Sequence, residues 1–235
     1  MQTKNIIYFS FVFTLVLALS SFASFRNKRL KINELEIKFT SEESNFLTKD
    51  IVNKLLIQKE DSLFYKQKEV LALNYIEDVI ESNPYVNTAE VFILPQGKMV
   101  VEIDERVPLF RVIGDTTFYV DSEGFQMPTS SQYSPLVPIY YGILNENKMS
   151  ETIQFVLKIM NDPFLSKEFI HIENQPRGYV LGLRSFSFDV VWGSSSSFNE
   201  KLAKLKHICA YVQQHSKSTE FSEINLMFNK QIVAH

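Results

Sequence analysis

The chain has 235 residues, 45% of them hydrophobic and 22% charged, and a formal net charge of −3. That length and composition suit one or two globular domains, and the charge balance excludes the basic footprint of a nucleic-acid binder. Cys209 is the only cysteine, so an intrachain disulfide and a multi-cysteine metal site are both ruled out.

Taken in chain order, the first feature is Ile6–Phe25, a stretch without a single charge and rich in Phe, Leu, Val and Ile. It has the length of about 20 residues that a helix needs to cross a bilayer core. The alternative is a cleavable signal peptide, with Lys4 as its basic start and Ala23 and Ser24 as small residues for processing. An apolar signal core covers only about 7 to 15 residues, which favours an anchor. Residues 1–5 are then a short tail, and everything larger lies beyond the span. Arg26, Lys28, Arg29 and Lys31 outnumber Lys4, so a bare count of positive charges would keep the large part in the cytoplasm, a rule that weakens for long translocated domains.

From about residue 30 to 106 the pattern is β-α-α-β-β. In LKINELEIKF, Leu35, Ile37 and Phe39 alternate with polar neighbours, as in a half-buried strand. Ile51, Val52, Leu55 and Leu56 repeat at helical spacing, and a second helix over 70–81 lines up Leu73, Ile76, Val79 and Ile80. After Ser82-Asn83-Pro84 come VNTAEVFIL and KMVVEIDER, joined by Pro95, Gln96 and Gly97 in a tight hairpin. This order predicts a small sheet with both helices on one face.

Residues 107–235 read as mostly sheet, with strand candidates LFRVI, TFYVD, PIYYG, FIHIE, YVLGLR and FDVVW. Two helices interrupt them. Ser150 and Glu151 open one that carries Ile153, Val156, Leu157 and Met160 and stops at Asp162-Pro163. Ser197 and Glu200 have capping-box spacing ahead of Leu202, Leu205, Cys209 and Val212. The chain closes on EINLMFNKQIVAH, expected as one strand that completes the sheet. The fold class is therefore α+β: a single N-terminal transmembrane helix, a β-α-α-β-β module, then a mostly antiparallel β domain with two helices.

Chemistry is hard to find. His171, His207, His215 and His235 lack the spacing of a helical zinc pair, and no phosphate loop, dinucleotide fingerprint or nucleophile elbow occurs. Cys209 lies on an apolar stripe, and the acidic pairs Glu42-Glu43, Glu77-Asp78 and Asp104-Glu105 suit a solvated surface. Trp192 reads as a core plug and Asp121–Gly124 as a turn rather than a calcium loop. Arg106 is expected to pair with Glu102, Asp104 or Glu105 at the junction. No catalytic residue, cofactor or metal is called for, and nothing argues for an enzyme.

Several stretches together resemble the FtsQ (DivIB) family of bacterial division proteins. YVNTAEVFILPQGKMVVEIDERVPLFRV is similar to that family's junction between a POTRA module and a β module, which ends in E-R-x-P. YVDSEGFQMP resembles its aromatic-Val-Asp-x-x-Gly hairpin, PLVPIYYG its Leu-Pro-x-x-x-Gly pattern, FDVVWG its strand ending in Leu-Gly, and SFNEKLAKLKHI the helix that follows. EINLMFNKQIVAH resembles the closing Val-Asp-Leu-Arg-Tyr strand, with Asn225 for Asp, Met227 for Arg and Phe228 for Tyr.

The resemblance implies a single-pass inner-membrane divisome component with its two modules on the periplasmic side, against the charge count. It implies FtsB/FtsL-type partners, a role in control of septal wall synthesis, and partner strand addition beside the last strand, with Phe228, Lys230 and Ile232 facing or flanking the partner. An unpaired strand edge makes such docking physically reasonable; the plainer alternative is an ordinary edge blunted by Lys230. A further alternative for the whole chain is a POTRA-bearing exported or anchored module of protein transport or envelope assembly.

Overall fold

The structure, a computed structural model, describes residues 2–27, 34–41, 46–58, 70–215, 221–228 and 231–235. It forms two compact units, Met1–Glu105 and Arg106–His235.

The first unit opens with helix α1 (Gln2–Asn27), which already includes residues expected as a tail. Its described side chains from Phe11 to Phe22 are all exposed. Among the described residues, no helix is long and apolar enough to cross a membrane. Strand β1 (Glu34–Phe39), helices α2 (Lys49–Gln58) and α3 (Val70–Glu81), and strands β2 (Val86–Ile93) and β3 (Lys98–Glu105) follow. The sheet order is β1-β3-β2, with β3 parallel to β1 and antiparallel to β2. Gly97 turns the β2–β3 hairpin at φ +85°, a conformation that favours glycine; its N–H donates to the Leu94 carbonyl at 2.9 Å.

Strand alternation then sorts the faces. Ile37, Ala89, Val91, Met99, Val101 and Ile103 turn inward and meet Val52 and Leu56 of α2 and Ile76 and Ile80 of α3. Each such fully buried aliphatic side chain is worth roughly 1.5–3 kcal/mol over an exposed one. On the polar side Lys98 lies 3.0 Å from Glu34 and 3.2 Å from Glu36, an exposed cross-strand cluster that contributes little to stability.

The second unit holds β4 (Pro108–Ile113), β5 (Thr117–Asp121), β6 (Gln126–Pro128), β7 (Ile139–Tyr141), α4 (Glu146–Met160), α5 (Leu165–Glu168), β8 (Phe169–Gln175), β9 (Gly178–Leu183), β10 (Asp189–Gly193), α6 (Phe198–Gln214), β11 (Glu223–Asn225) and β12 (Val233–Ala234). All nine strands join one sheet in the order β12-β11-β10-β9-β8-β7-β4-β5-β6. The sheet is mixed. The pairs β4/β7, β7/β8 and β10/β11 are parallel and the other five antiparallel. The latter two parallel pairs are joined through α4 and α6, because parallel neighbours need a long crossover whereas a hairpin suffices for antiparallel ones.

Helices α4 and α6 pack on one face of this sheet. Phe155 of α4 stacks on Tyr179 with ring centroids 4.7 Å apart and lies 5.6 Å from Trp192, which in turn meets Phe198 at 5.1 Å. Trp192 is completely buried, a core plug as its sequence position suggests. Thr152 and Tyr179 share a buried hydroxyl hydrogen bond of 3.0 Å beneath α4. Cys209 sits in the same core, and burial, helped by the charge of Glu168, pushes its thiol up to about 12.

Several local expectations are corrected. Helix α4 starts at Glu146, four residues before Ser150, because the Asn145 carbonyl accepts the N–H groups of Lys148 and Met149. The Ser197–Glu200 capping box does not form: Ser197 takes a left-handed conformation (φ 52°) and its side chain caps nothing. Strand β6 and the one-turn helix α5 escape periodicity because each is too short for a repeat. Asp162 nucleates α5, its Oδ1 accepting from the N–H groups of Phe164 and Leu165 at 3.0 Å each.

Arg106 does not pair with Glu102, Asp104 or Glu105. Its guanidinium donates to Asp121 Oδ2 at 2.8 Å, reaches Glu123 at 3.6 Å, and lies 4.0 Å over the Phe125 ring. Asp121 is fixed in turn by N–H groups of Glu123 and Phe125 on its Oδ1, the Asx geometry that folds the β5–β6 turn.

Candidate partner-binding edge

The expected closing strand is two short strands, Glu223–Asn225 and Val233–Ala234, and an Asx turn at Asn225 ends the first. In β11, Asp189↔Glu223 to Val191↔Asn225 pair parallel with β10, and the Leu226 N–H continues to the Val191 carbonyl at 2.9 Å. There the run stops. Asn225 turns its side-chain oxygen onto the N–H of Met227 at 3.0 Å, and the Phe228 carbonyl accepts from Lys204 Nζ of α6 at 2.6 Å. Local side-chain capture of backbone groups by Asn competes with a strand ladder, which is why the alternation of Ile224, Leu226 and Phe228 does not become one long strand.

Beyond the turn, β12 returns antiparallel on β11, with Ile224 opposite Ala234 and Asn225 opposite Val233. Glu223 and His235 exchange both backbone hydrogen bonds, at 3.0 and 3.3 Å, and Ser222 N–H also donates to the His235 carbonyl. Since His235 points its main-chain groups inward, those of Ala234 and Ile232 point away from β11, by the alternation of an antiparallel ladder. Strand β12 ends the sheet, so among the described residues no further strand covers that row.

The residues named from the sequence take different positions on this edge. Phe228 is 45% exposed and stands on the turn rather than in a strand. Ile232 is half-buried, and it and Ala234 pack against the core. Lys230 lies outside the described residues. Met227, 38% exposed, completes the apolar turn beside Phe228. Its side chain rests on Gly193, where a Cβ would come within 2.7 Å of Met227 Cγ and where φ is +74°. Sequence reading placed Val233 and Ala234 in the closing strand but missed that they return as a separate strand on β11, and it missed Lys204 as a part of this edge. The available signal was Asn225 two residues ahead of Met227, a spacing that favours an Asx turn.

Near the start of α6, Lys201 is buried and its amine donates to the Ser194 carbonyl at 2.9 Å. Burial, and secondarily the charge of Lys204, lowers its pKa from the ordinary lysine value. The opposite end of the sheet differs from the β12 end. There β6 has three residues and finishes on Pro128, which cannot donate to a ladder. Among the described residues no group of three His, Cys, Asp or Glu side chains gathers as metal ligands would.

Comparison with known proteins agrees with this layout. The family described as FtsQ/DivIB, C-terminal related, matches residues 107–235, and a POTRA-like domain matches residues 31–104. Cell division protein DivIB of Clostridium tetani (strain Massachusetts / E88) is 23% identical over 198 residues, covering 77% of this chain and 70% of that protein. Cell division protein FtsQ of Rhodothermus marinus (strain ATCC 43812 / DSM 4252 / R-10) is 34% identical over 71 residues, 29% of this chain and 26% of that one. With more than half of its length matched by the family pattern, the chain belongs to the FtsQ/DivIB family.

Proposed function

We propose that this chain is a non-enzymatic divisome scaffold that binds FtsB/FtsL-type division proteins by strand addition at its β12 edge and thereby helps control septal wall synthesis. The observation that carries the reading is the exposed end of the large sheet, with the outward main-chain groups of Ile232 and Ala234 on the β12 side and the exposed Met227 and Phe228 just after β11. Backbone groups would supply affinity and the apolar turn would supply specificity. Membership of a family whose named relatives are cell division proteins supports the cellular setting.

Anchorage by α1 in the cytoplasmic membrane, with both units on the outer side, belongs to the same reading. It is supported by the uncharged stretch Ile6–Phe25 and by large exposed side chains around the helix, including Phe11, Phe13, Leu19 and Phe22. An uncharged stretch of about 20 residues has the length that a bilayer crossing requires. The expected domain limits of 30–106 and 107–235 are part of the proposal.

The test is a pull-down of the FtsB- and FtsL-type proteins with the full-length chain carrying Phe228→Ala or Ala234→Pro. Proline at 234 removes an outward donor without touching the inward bonds of His235. Each change is expected to weaken capture at least tenfold while leaving the unfolding transition in place. Undiminished capture by both variants would defeat strand addition at this edge.

A further inference from the structure

Two lysines of α6 give their amines to main-chain oxygens rather than to acids. Lys201 Nζ donates to the Ser194 carbonyl at 2.9 Å, and Lys204 Nζ donates to the Phe228 carbonyl at 2.6 Å. The two lysines stand three residues apart and so share one side of the helix. Ser194 directly follows β10, and Phe228 lies three residues past the end of β11. Because these strands run parallel, their ends lie side by side, and one helix side holds both. Among the described residues neither amine forms an ion pair with a carboxylate. Lys206 of the same helix does, with Asp162 at 2.7 Å.

Burial separates the two roles. Lys201 is buried, and its bond closes the loop that leads into α6. The Lys204 bond lies at the surface, where holding a long, flexible side chain in one place costs rotamer entropy and returns little stability. What that bond fixes is Phe228. The preceding residues have supports of their own: Leu226 donates to the Val191 carbonyl, the Met227 N–H donates to Asn225, and the Met227 side chain rests on Gly193. Phe228 has no comparable support. Its side chain is 45% exposed, and among the described residues its one hydrogen bond is the one from Lys204.

We infer that Lys204 is a positioning residue for partner capture, which holds the main chain of Phe228 so that its ring is presented before the partner arrives. This role rests on the docking edge proposed above and adds to it a residue 24 positions earlier in the chain. A side chain already in its bound place need not be ordered on binding, so capture is strengthened without a new contact. Lys204 acts through Phe228 and not on the partner.

The test measures capture of the FtsB- and FtsL-type proteins by the full-length chain carrying Lys204→Met, Lys204→Arg, Phe228→Ala, or Lys204→Met together with Phe228→Ala. Methionine keeps a long apolar stem and loses the donor, whereas arginine keeps a cationic donor of similar reach. Lys204→Met is expected to weaken capture about two- to tenfold, the scale of ordering one side chain on binding. It is also expected to speed amide exchange at Met227 in the free chain and to leave the urea midpoint followed by Trp192 fluorescence in place. Lys204→Arg is expected to retain both capture and slow exchange. In the Phe228→Ala background, Lys204→Met is expected to cost nothing further. An equal loss with and without Phe228 would overturn positioning and make Lys204 a direct contact of the partner. A fall in the urea midpoint that matches the loss of capture would overturn it in favour of a structural clasp. If Phe228→Ala weakens capture and Lys204→Met does not, the positioning role alone fails; if Phe228→Ala itself leaves capture intact, the docking edge fails and this role with it.

Discussion

Replacing Arg106 by alanine should unfold the second unit more easily by about 3 kcal/mol, and the size follows from what is left behind. The Arg106 and Asp121 side chains are only 14% and 6% exposed, and the ion pair between them is 2.8 Å long. Breaking a buried pair by removing one partner costs roughly 3–5 kcal/mol, because the other charge stays buried. Asp121 keeps two backbone N–H donors on Oδ1, at 2.9 and 2.8 Å, which lowers the penalty toward about 2 kcal/mol. The lost contact of the guanidinium with the Phe125 ring, at 4.0 Å, returns about 1 kcal/mol to the cost. Urea unfolding followed by tryptophan fluorescence suits the measurement, because Trp192 is the only tryptophan and lies in the core of this unit. Adding Asp121→Asn to the alanine variant should recover part of the loss, since the stranded charge is then gone. A change below about 1 kcal/mol, or a double variant no better than the single one, would refute a buried ion pair as the staple of this turn.

Gly182→Ala should cost about 1–3 kcal/mol, since a Cβ at 182 would fall on the His171 ring that lies over the glycine; thermal unfolding of Gly182→Ala with and without His171→Ala checks it, and the second change should restore most of the loss. Asp162→Ala should destabilise by about 1–2 kcal/mol through loss of the α5 cap. Burial alone would raise the Asp162 pKa, but Lys206 and the N–H groups of Leu165 and Phe164 together hold it below the ordinary value. Its stabilising share is thus present above the unfolded value near pH 4 and lost as the pH falls below it, so Asp162→Asn should flatten acid unfolding curves. With its thiol pushed up to about 12, Cys209 should resist alkylation in the native chain at pH 7 and react once urea unfolds it, as mass spectrometry would show. Because the folded pKa exceeds the unfolded one, the protonated thiol stabilises the fold fully below about pH 9, and that contribution declines between about 9 and 12.

Long periodic segments were legible in the sequence and short ones were not. Leu73, Ile76, Val79 and Ile80 mark α3 because a helix of that length repeats its apolar positions more than once. Strand β6, with three residues, offers a single buried side chain, Met127, and so has no period to read. The parallel pairings of β7 with β8 and β10 with β11 were equally hidden, since alternation shows which face a residue takes but not which strand lies beside it. Helix starts failed for another reason: Ser150 and Ser197 are good capping residues in isolation, yet the chain enters α4 earlier and enters α6 through a left-handed residue. At the candidate edge, the position of Phe228 could be named but not its setting. The turn that exposes it depends on Lys204, which is far away in sequence.

The residues that resemble family signatures and the residues proposed to meet a partner divide along a physical line. Arg106 of Glu-Arg-Val-Pro and Asp121 of Tyr-Val-Asp-Ser-Glu-Gly are one contact, and Gly193 of the strand ending in Trp-Gly is the seat of Met227. Such residues act inside the fold, so their loss should register as stability, with binding reduced only in proportion to the folded fraction. Phe228 and the outward main chain of Ala234 support little of the core; their loss should register as binding at constant stability. Measuring both quantities for Arg106→Ala, Gly182→Ala, Phe228→Ala and Ala234→Pro therefore tests the assignment as a whole. If Phe228→Ala lowered stability as much as capture, the turn would be a structural clasp held by Lys204, and the docking surface would have to lie on another part of the second unit.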